Sequence, residues 1–188
     1  MRLLLDLDGT LIKLGVDWAE VRRRVEPIVG CPPPGMTIFA WLSRVEDEAR
    51  VREALRVVEE AELEGLRSAT VDREVAELLQ ALKEGGCRLA LVSMQGSRAV
   101  EGALRELGLE GAFDVVVTRD FSLSREHQLR EALRVEGGGE AVFLCDRGED
   151  VEAAAKLGIQ AVKVRLADGS VKEALRSLLA KLGRLSQP

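Results

Sequence analysis

The stretch LLLDLDGTL, residues 3–11, sets two carboxylates at the end of an otherwise apolar run. Leu3, Leu4, Leu5 and Leu7 read as a strand buried on both faces, because residues of both parities are apolar. Asp6 and Asp8 interrupt that run, and Gly9 follows where the chain can turn away. An unpaired carboxylate inside a buried strand is costly. The two acids therefore call for a partner or a purpose.

Working outward, four more runs of the same near-continuous kind follow, at residues 87–92, 113–117, 141–145 and 160–164. Helical patterns separate them. Ser97 is placed to cap a helix carrying Val100, Leu104 and Leu107, which Gly108 stops. Further helices are predicted over 124–135, before Gly137-Gly138-Gly139, and over 149–157. A last one starts near Ser170, with Val171, Ala174, Leu175, Leu178 and Leu179 on one face, and the tail after Gly183 frays. Strand and helix alternate, so the class is α/β with a parallel five-stranded sheet.

The first crossover differs. Between Leu11 and Ala69 the sequence carries helical patterns and no strand signal. Asp17 is placed to cap residues 18–29, with Pro27 closing that helix early. Cys31-Pro32-Pro33-Pro34-Gly35 is a rigid break. Thr37 can cap a short segment with Ile38, Phe39, Trp41 and Leu42. Residues 46–63 then repeat Val51, Leu55, Val58 and Ala61 at helical spacing, up to Gly65. Residues 72–84 form the helix leading to the second strand. The expected organisation is a core of residues 1–14 and 70–188, with a helical insertion over 15–69.

Bulk properties narrow the function. The chain has 188 residues and a net charge of −5, a total that argues against a nucleic-acid protein, which usually shows a basic face. No apolar run approaches a bilayer span, and Asp6 arrives too early for a signal peptide. Cys31, Cys87 and Cys145 are scattered, as reduced thiols of a cytosolic protein are. The expectation is a cytoplasmic protein, monomer or homodimer, with neither nucleic acid nor membrane as partner.

The polar residues sit at strand ends. Asp6 and Asp8 end the first strand, Ser93 the second and Asp146 the fourth. In open parallel sheets ligands bind beyond those carboxyl ends. Asp6, Asp8, Asp146 and Asp150 converging there would raise one another's pKa. A hard divalent cation, Mg²⁺ in particular, compensates such a cluster and keeps room for phosphate oxygens. One carboxylate can then attack phosphorus while another moves protons.

These residues resemble the motifs of the haloacid dehalogenase-like (HAD) hydrolases. The DLDGT at residues 6–10 is similar to the first motif, DxDGT. Ser93 is similar to the second, a Ser or Thr after an apolar strand. The CDRGED at residues 145–150 resembles the fourth, GDxxxD. The resemblance runs from residue 6 to 164 and implies a Rossmann-like sheet of order 5-4-1-2-3. The insertion sits where a C1 helical cap does in phosphoglycolate phosphatase-like members. It further implies a Mg²⁺-dependent phosphatase acting on a small phosphorylated metabolite. Asp6 would be the nucleophile that forms an aspartyl-phosphate, and Asp8 the acid and then the base. Asp6, the carbonyl of Asp8, and Asp146 would hold the metal, with Asp150 a ligand or a residue behind it. Ser93 and the N–H of Met94 would hold phosphoryl oxygens. A phosphomutase would use the same site, and a non-catalytic phosphate- or partner-binding descendant is the reading from another class. A phospho-accepting receiver domain fits poorly. It carries its phosphorylated Asp after the third strand, where this chain reads Val117-Thr118-Arg119-Asp120.

Three departures stand out. The family's third motif is a Lys, and RDFSLSREHQLREAL, residues 119–133, has none. Arg125 is the best positional match for that phosphate-charge role and Arg119 the second. Cys145 stands where a Gly usually precedes the fourth-motif Asp, with a side chain able to narrow the metal side of the pocket. Met94 replaces a commonly polar neighbour of Ser93.

Plainer roles suit other residues. Glu149 fits a helix N-terminus. His127 and Arg22-Arg23-Arg24 fit solvated helix faces. Trp18, Phe39 and Trp41 fit the packing of a small helical layer.

Overall fold

A computed structural model describes residues 1–134 and 139–185 of the chain. Five strands form one sheet: β1 (Arg2–Leu5), β2 (Arg88–Val92), β3 (Val115–Val117), β4 (Ala141–Cys145) and β5 (Gln160–Lys163). All neighbours pair in parallel, in the order β5-β4-β1-β2-β3. This is the expected 5-4-1-2-3. β1 lies at the centre, with Leu3 in register with Leu89 on one side and Val142 on the other.

The near-continuous apolar runs have a direct cause. Leu3 and Leu5 point into a core shared with helices α4 (Arg73–Glu84), α5 (Ser97–Leu107) and α8 (Ser170–Leu185). Leu4 points the other way, to Phe143, Val92 and helices α6 (Arg125–Ala132) and α7 (Gly148–Lys156). Helices cover both faces, so both parities must be apolar.

Helices α1 (Trp18–Val29), α2 (Ile38–Leu42) and α3 (Glu48–Gly65) lie between β1 and α4. They bury a separate apolar cluster that includes Val21, Val25, Phe39, Leu42, Ala54 and Val58. Asp17, Thr37 and Asp47 cap them by accepting backbone N–H groups.

Local expectations are corrected at several points. Four of the five strands are shorter than their apolar runs: β1 and β5 stop pairing before the last apolar residue, and β2 and β3 begin after the first. A small antiparallel ribbon pairs Ile12–Lys13 with Thr70–Val71, so the first crossover does contain a strand. Two residues are too few for a periodic signal. Pro27 does not end α1, which continues to Val29. Its missing N–H falls in the last turn, where little helix remains to lose. The N-cap of α5 is Gly96, with Ser97 the first helical residue. Helix α3 buries Ala54, Val58, Glu62 and Gly65, a stripe beside the expected one, with a charge in it. Helix α6 ends at Ala132, and the predicted continuation to Val135 and Gly137-Gly138 lies outside the described residues. Helix α8 extends past Gly183 to Leu185.

Candidate active site

β1 ends at Leu5, yet the N–H of Asp6 still donates to the Leu144 carbonyl, at 2.9 Å. That bond holds Asp6 at the mouth of the central strand, where it is buried. Asp8 lies in the turn beyond. Its Oδ1 accepts the N–H of Leu14 at 2.9 Å and faces Lys13 Nζ at 3.5 Å. Gly9 adopts φ +87°, and a Cβ there would come within 2.3 Å of Asp146 Oδ2. The glycine thus serves both the turn and the close approach of strand four's carboxylate. Asp6, Asp146 and Asp150 can each offer an oxygen within 4.8 Å of the others.

Arg125 opens helix α6 after its Ser124 cap and enters this cluster. Its Nε and Nη2 donate to the two oxygens of Asp150 at 2.8 and 3.2 Å. Nη2 also donates to Asp6 Oδ1 at 3.0 Å. Nη1 donates to the Val92 carbonyl at 2.7 Å and to Gln128 Oε1 at 3.2 Å. Five acceptors thus meet the five N–H groups of a guanidinium. Arg119, the second match for the missing Lys, lies elsewhere and bonds to Glu62.

Burial pushes Asp6 up to about 7, against the pull of Arg125, and the charges of Asp150 and Asp146 push the same way as burial. Burial also raises Asp146, with Arg147 opposing. Arg125 resists its own burial because Asp6 and Asp150 hold the cation.

The second wall departs from expectation. The hydroxyl of Ser93 donates to Gln95 Oε1 at 2.6 Å and accepts the Gln95 N–H at 3.1 Å. Ser93 is fully buried and does not line the cavity, whereas Met94 and Gln95 do. A serine hydroxyl turned into its own turn satisfies a buried backbone donor first. Gln128 was not expected at all. Its amide donates to the carbonyls of Ser93 and Ser122, at 2.9 and 2.8 Å, and so ties β2 to α6. It sits beside exposed His127 in a polar helix, where apolar periodicity gives no sign of burial.

A cavity of about 750 Å³ opens above Asp6, Asp8, Asp146, Asp150 and Arg125. The helical insertion supplies Trp18, Arg22, Arg23, Ile38 and Phe39 to its wall. Trp18 and Phe39 therefore face the site as well as each other, with ring centroids 6.0 Å apart. Arg22 and Arg23 likewise belong to the cavity, contrary to a purely solvated face, whereas Arg24 pairs outside with Glu60. Trp41 only packs. Glu149 reaches the rim beside Arg147.

Cys145 does not narrow the pocket. It packs in the core with Phe143 and Ala154, and burial pushes its thiol up to about 12. Burial raises Cys87 also, whereas Cys31 is exposed. In a thiol titration of the native protein only Cys31 should react, slowly because Glu26 holds its proton. All three should react after denaturation, and a second fast native thiol would contradict this packing.

Residues 3–164 match the family model described as haloacid dehalogenase-like hydrolase. No curated protein sequence matches the chain. Solved structures resemble it, three of them as follows. A candidate phosphoglycolate phosphatase from Lactobacillus plantarum superposes with a TM-score of 0.64 at 19% identity, covering 85% of this chain and 84% of that one. A haloacid dehalogenase-like family protein from Streptococcus pneumoniae gives 0.62 at 17%, covering 86% and 83%. An archaeal beta-phosphoglucomutase from a hyperthermophilic Pyrococcus gives 0.61 at 16%, covering 87% and 86%. At such identities these likenesses speak to the fold alone.

Proposed function

Because the chain belongs to the haloacid dehalogenase-like hydrolases, we propose that it is a Mg²⁺-dependent phosphatase that hydrolyses a small phosphate monoester in the cytoplasm. The observation that carries this reading is the meeting of Asp6 with Arg125 and two further carboxylates on the floor of an open cavity. A buried nucleophile beside a fixed cation suits attack on an anionic phosphoryl group.

The donor set fits a hard divalent ion. Asp146 Oδ1 is buried without a hydrogen-bond partner among the described residues, as suits an atom positioned for a bound ligand. Asp6, the carbonyl of Asp8, and Asp146 would hold Mg²⁺. Asp150 already accepts from Arg125 at both oxygens, so its part is to aim Arg125. When bound, the cation neutralises charge on phosphate and carboxylates.

The protein's own residues carry the steps. An Asp6 oxygen attacks phosphorus as the bond to the ester oxygen breaks, and protonated Asp8 gives its proton to the departing alkoxide. Asp8, now ionised, takes a proton from water as that water attacks the aspartyl-phosphate. Asp6 is released as carboxylate and Asp8 regains its proton. The backbone N–H of Met94, which faces the cavity, holds a phosphoryl oxygen. The helices over residues 15–69 act as the cap that excludes water and contacts the alcohol through Trp18, Ile38 and Phe39.

Phosphate release from an aryl phosphate, with Mg²⁺ and then with excess EDTA, tests the proposal. Turnover should fall at least about a hundredfold on chelation and return with Mg²⁺. Undiminished turnover in EDTA would reject the metal's role. No release from a broad panel of phosphate esters would reject the activity.

A further inference from the structure

Arg119 follows β3 and does not line the cavity, yet most of what it touches does. Its Nη1 donates to Glu62 Oε1 at 2.6 Å and to the Met94 carbonyl at 3.2 Å. Its backbone N–H donates to the Gln95 carbonyl at 3.2 Å. Its guanidinium lies over the Phe39 ring, 5.5 Å from the centroid. Met94, Gln95 and Phe39 all face the cavity.

Glu62 reaches this point from helix α3, and its Oε2 accepts the Gly96 N–H at 3.3 Å. Both partners are buried, with side chains 2% and 0% exposed. A Cβ on Gly96 would stand 2.8 Å from Arg119 Nη2, so the turn is shaped around the guanidinium. An ion pair this deep is a poor device for stability alone, since an apolar pair of similar volume does as well or better. What it supplies is direction: one planar cation fixes a carbonyl, a carboxylate and a ring face, while the backbone N–H of the same residue holds a second carbonyl.

We propose that Arg119, with Glu62 as its buried counter-ion, is a positioning residue that fixes the Met94–Gly96 turn and locks it to helix α3. The turn facing Asp6 and the helical layer above it are then set as one unit. This rests on the reading of the cavity as a phosphate-ester site only for its effect on turnover; the clasp itself is a property of the fold.

The test replaces the pair by apolar residues, Arg119→Met with Glu62→Leu, so that no buried charge is left alone. The double variant should fold and melt no lower than the parent. Backbone amide exchange at Gln95 and along residues 58–63 should quicken about tenfold, while amides of β1 stay protected. In the aryl phosphatase assay, KM and the inhibition constant of inorganic phosphate should both rise about tenfold, with kcat changing less. A merely structural pair would move neither constant. If the double variant does not fold, Glu62→Gln, which keeps the shape and removes the charge, should show the same exchange pattern more weakly. Parental exchange and parental phosphate affinity in a folded variant would overturn the proposal. Faster exchange in a protein that shows no turnover even as the parent would support the clasp and count against the phosphatase.

Discussion

Asp6→Asn should abolish phosphate release while leaving the protein at least as stable. The amide matches the carboxylate in size and can still accept from Arg125 Nη2, which lies 3.0 Å from Asp6 Oδ1. It cannot form the aspartyl-phosphate, because its oxygen and nitrogen are poor nucleophiles. Removing a covalent nucleophile typically costs about 10⁴-fold or more in kcat. Stability should move the other way. Burial pushes Asp6 up to about 7, so the fold bears a cost in keeping this carboxyl ionised at neutral pH, only partly offset by Arg125. A neutral amide lifts that cost, and a thermal melt in EDTA should place Asp6→Asn at or above the parent. Activity lost with stability kept marks a residue held for chemistry. A variant that keeps a tenth of its activity would remove Asp6 from the role, and one that loses both would make Asp6 a structural residue.

The sheet was legible because burial on two faces leaves a residue-by-residue trace. Leu3, Leu4 and Leu5 have to be apolar whichever way they point, and the polar break at Asp6 marks where the strand leaves the core. The convergence of Asp6, Asp146 and Asp150 follows from the same reasoning, since parallel strands end on one rim. What stayed hidden is mostly buried polarity. Glu62 and Arg119 are 57 positions apart, and each resembles a solvated helix or loop residue until the fold joins them. Gln128 is hidden likewise, in a helix whose apolar pattern is weak. Apolar periodicity reports which face meets the core, but it is silent on charges that meet each other there. Ser93 shows the converse. Its position matched a ligand-binding role, yet its hydroxyl satisfies the local turn, which no spacing could show.

Arg125→Ala should cost both activity and stability, and the comparison with Arg125→Lys should tell which property of the guanidinium matters. The alanine removes the guanidinium donors to Asp150 and Val92 and, among the described residues, the only side chain bonded to Asp6. Two buried carboxylates and a buried carbonyl lose their partner, a loss of about 3–5 kcal/mol in metal-free protein. Turnover should drop about 10²–10³-fold, since a fixed cation beside the attacking oxygen is lost. The lysine restores the charge as a point on a flexible stem. It can reach Asp6 or Asp150, but it cannot span both and Val92 as a planar fork does. If charge is what the site needs, Arg125→Lys should keep turnover within about tenfold of the parent and recover most of the melting temperature. If the fork is what aligns Asp6, the lysine should fold nearly as well yet turn over no faster than the alanine. The geometry favours the fork. Asp150 holds the guanidinium through two oxygens, which fixes the plane from which Nη2 meets Asp6. Asp150→Asn should therefore reproduce most of the kinetic loss of Arg125→Ala, and parental turnover in that variant would show that Arg125 needs no such guide.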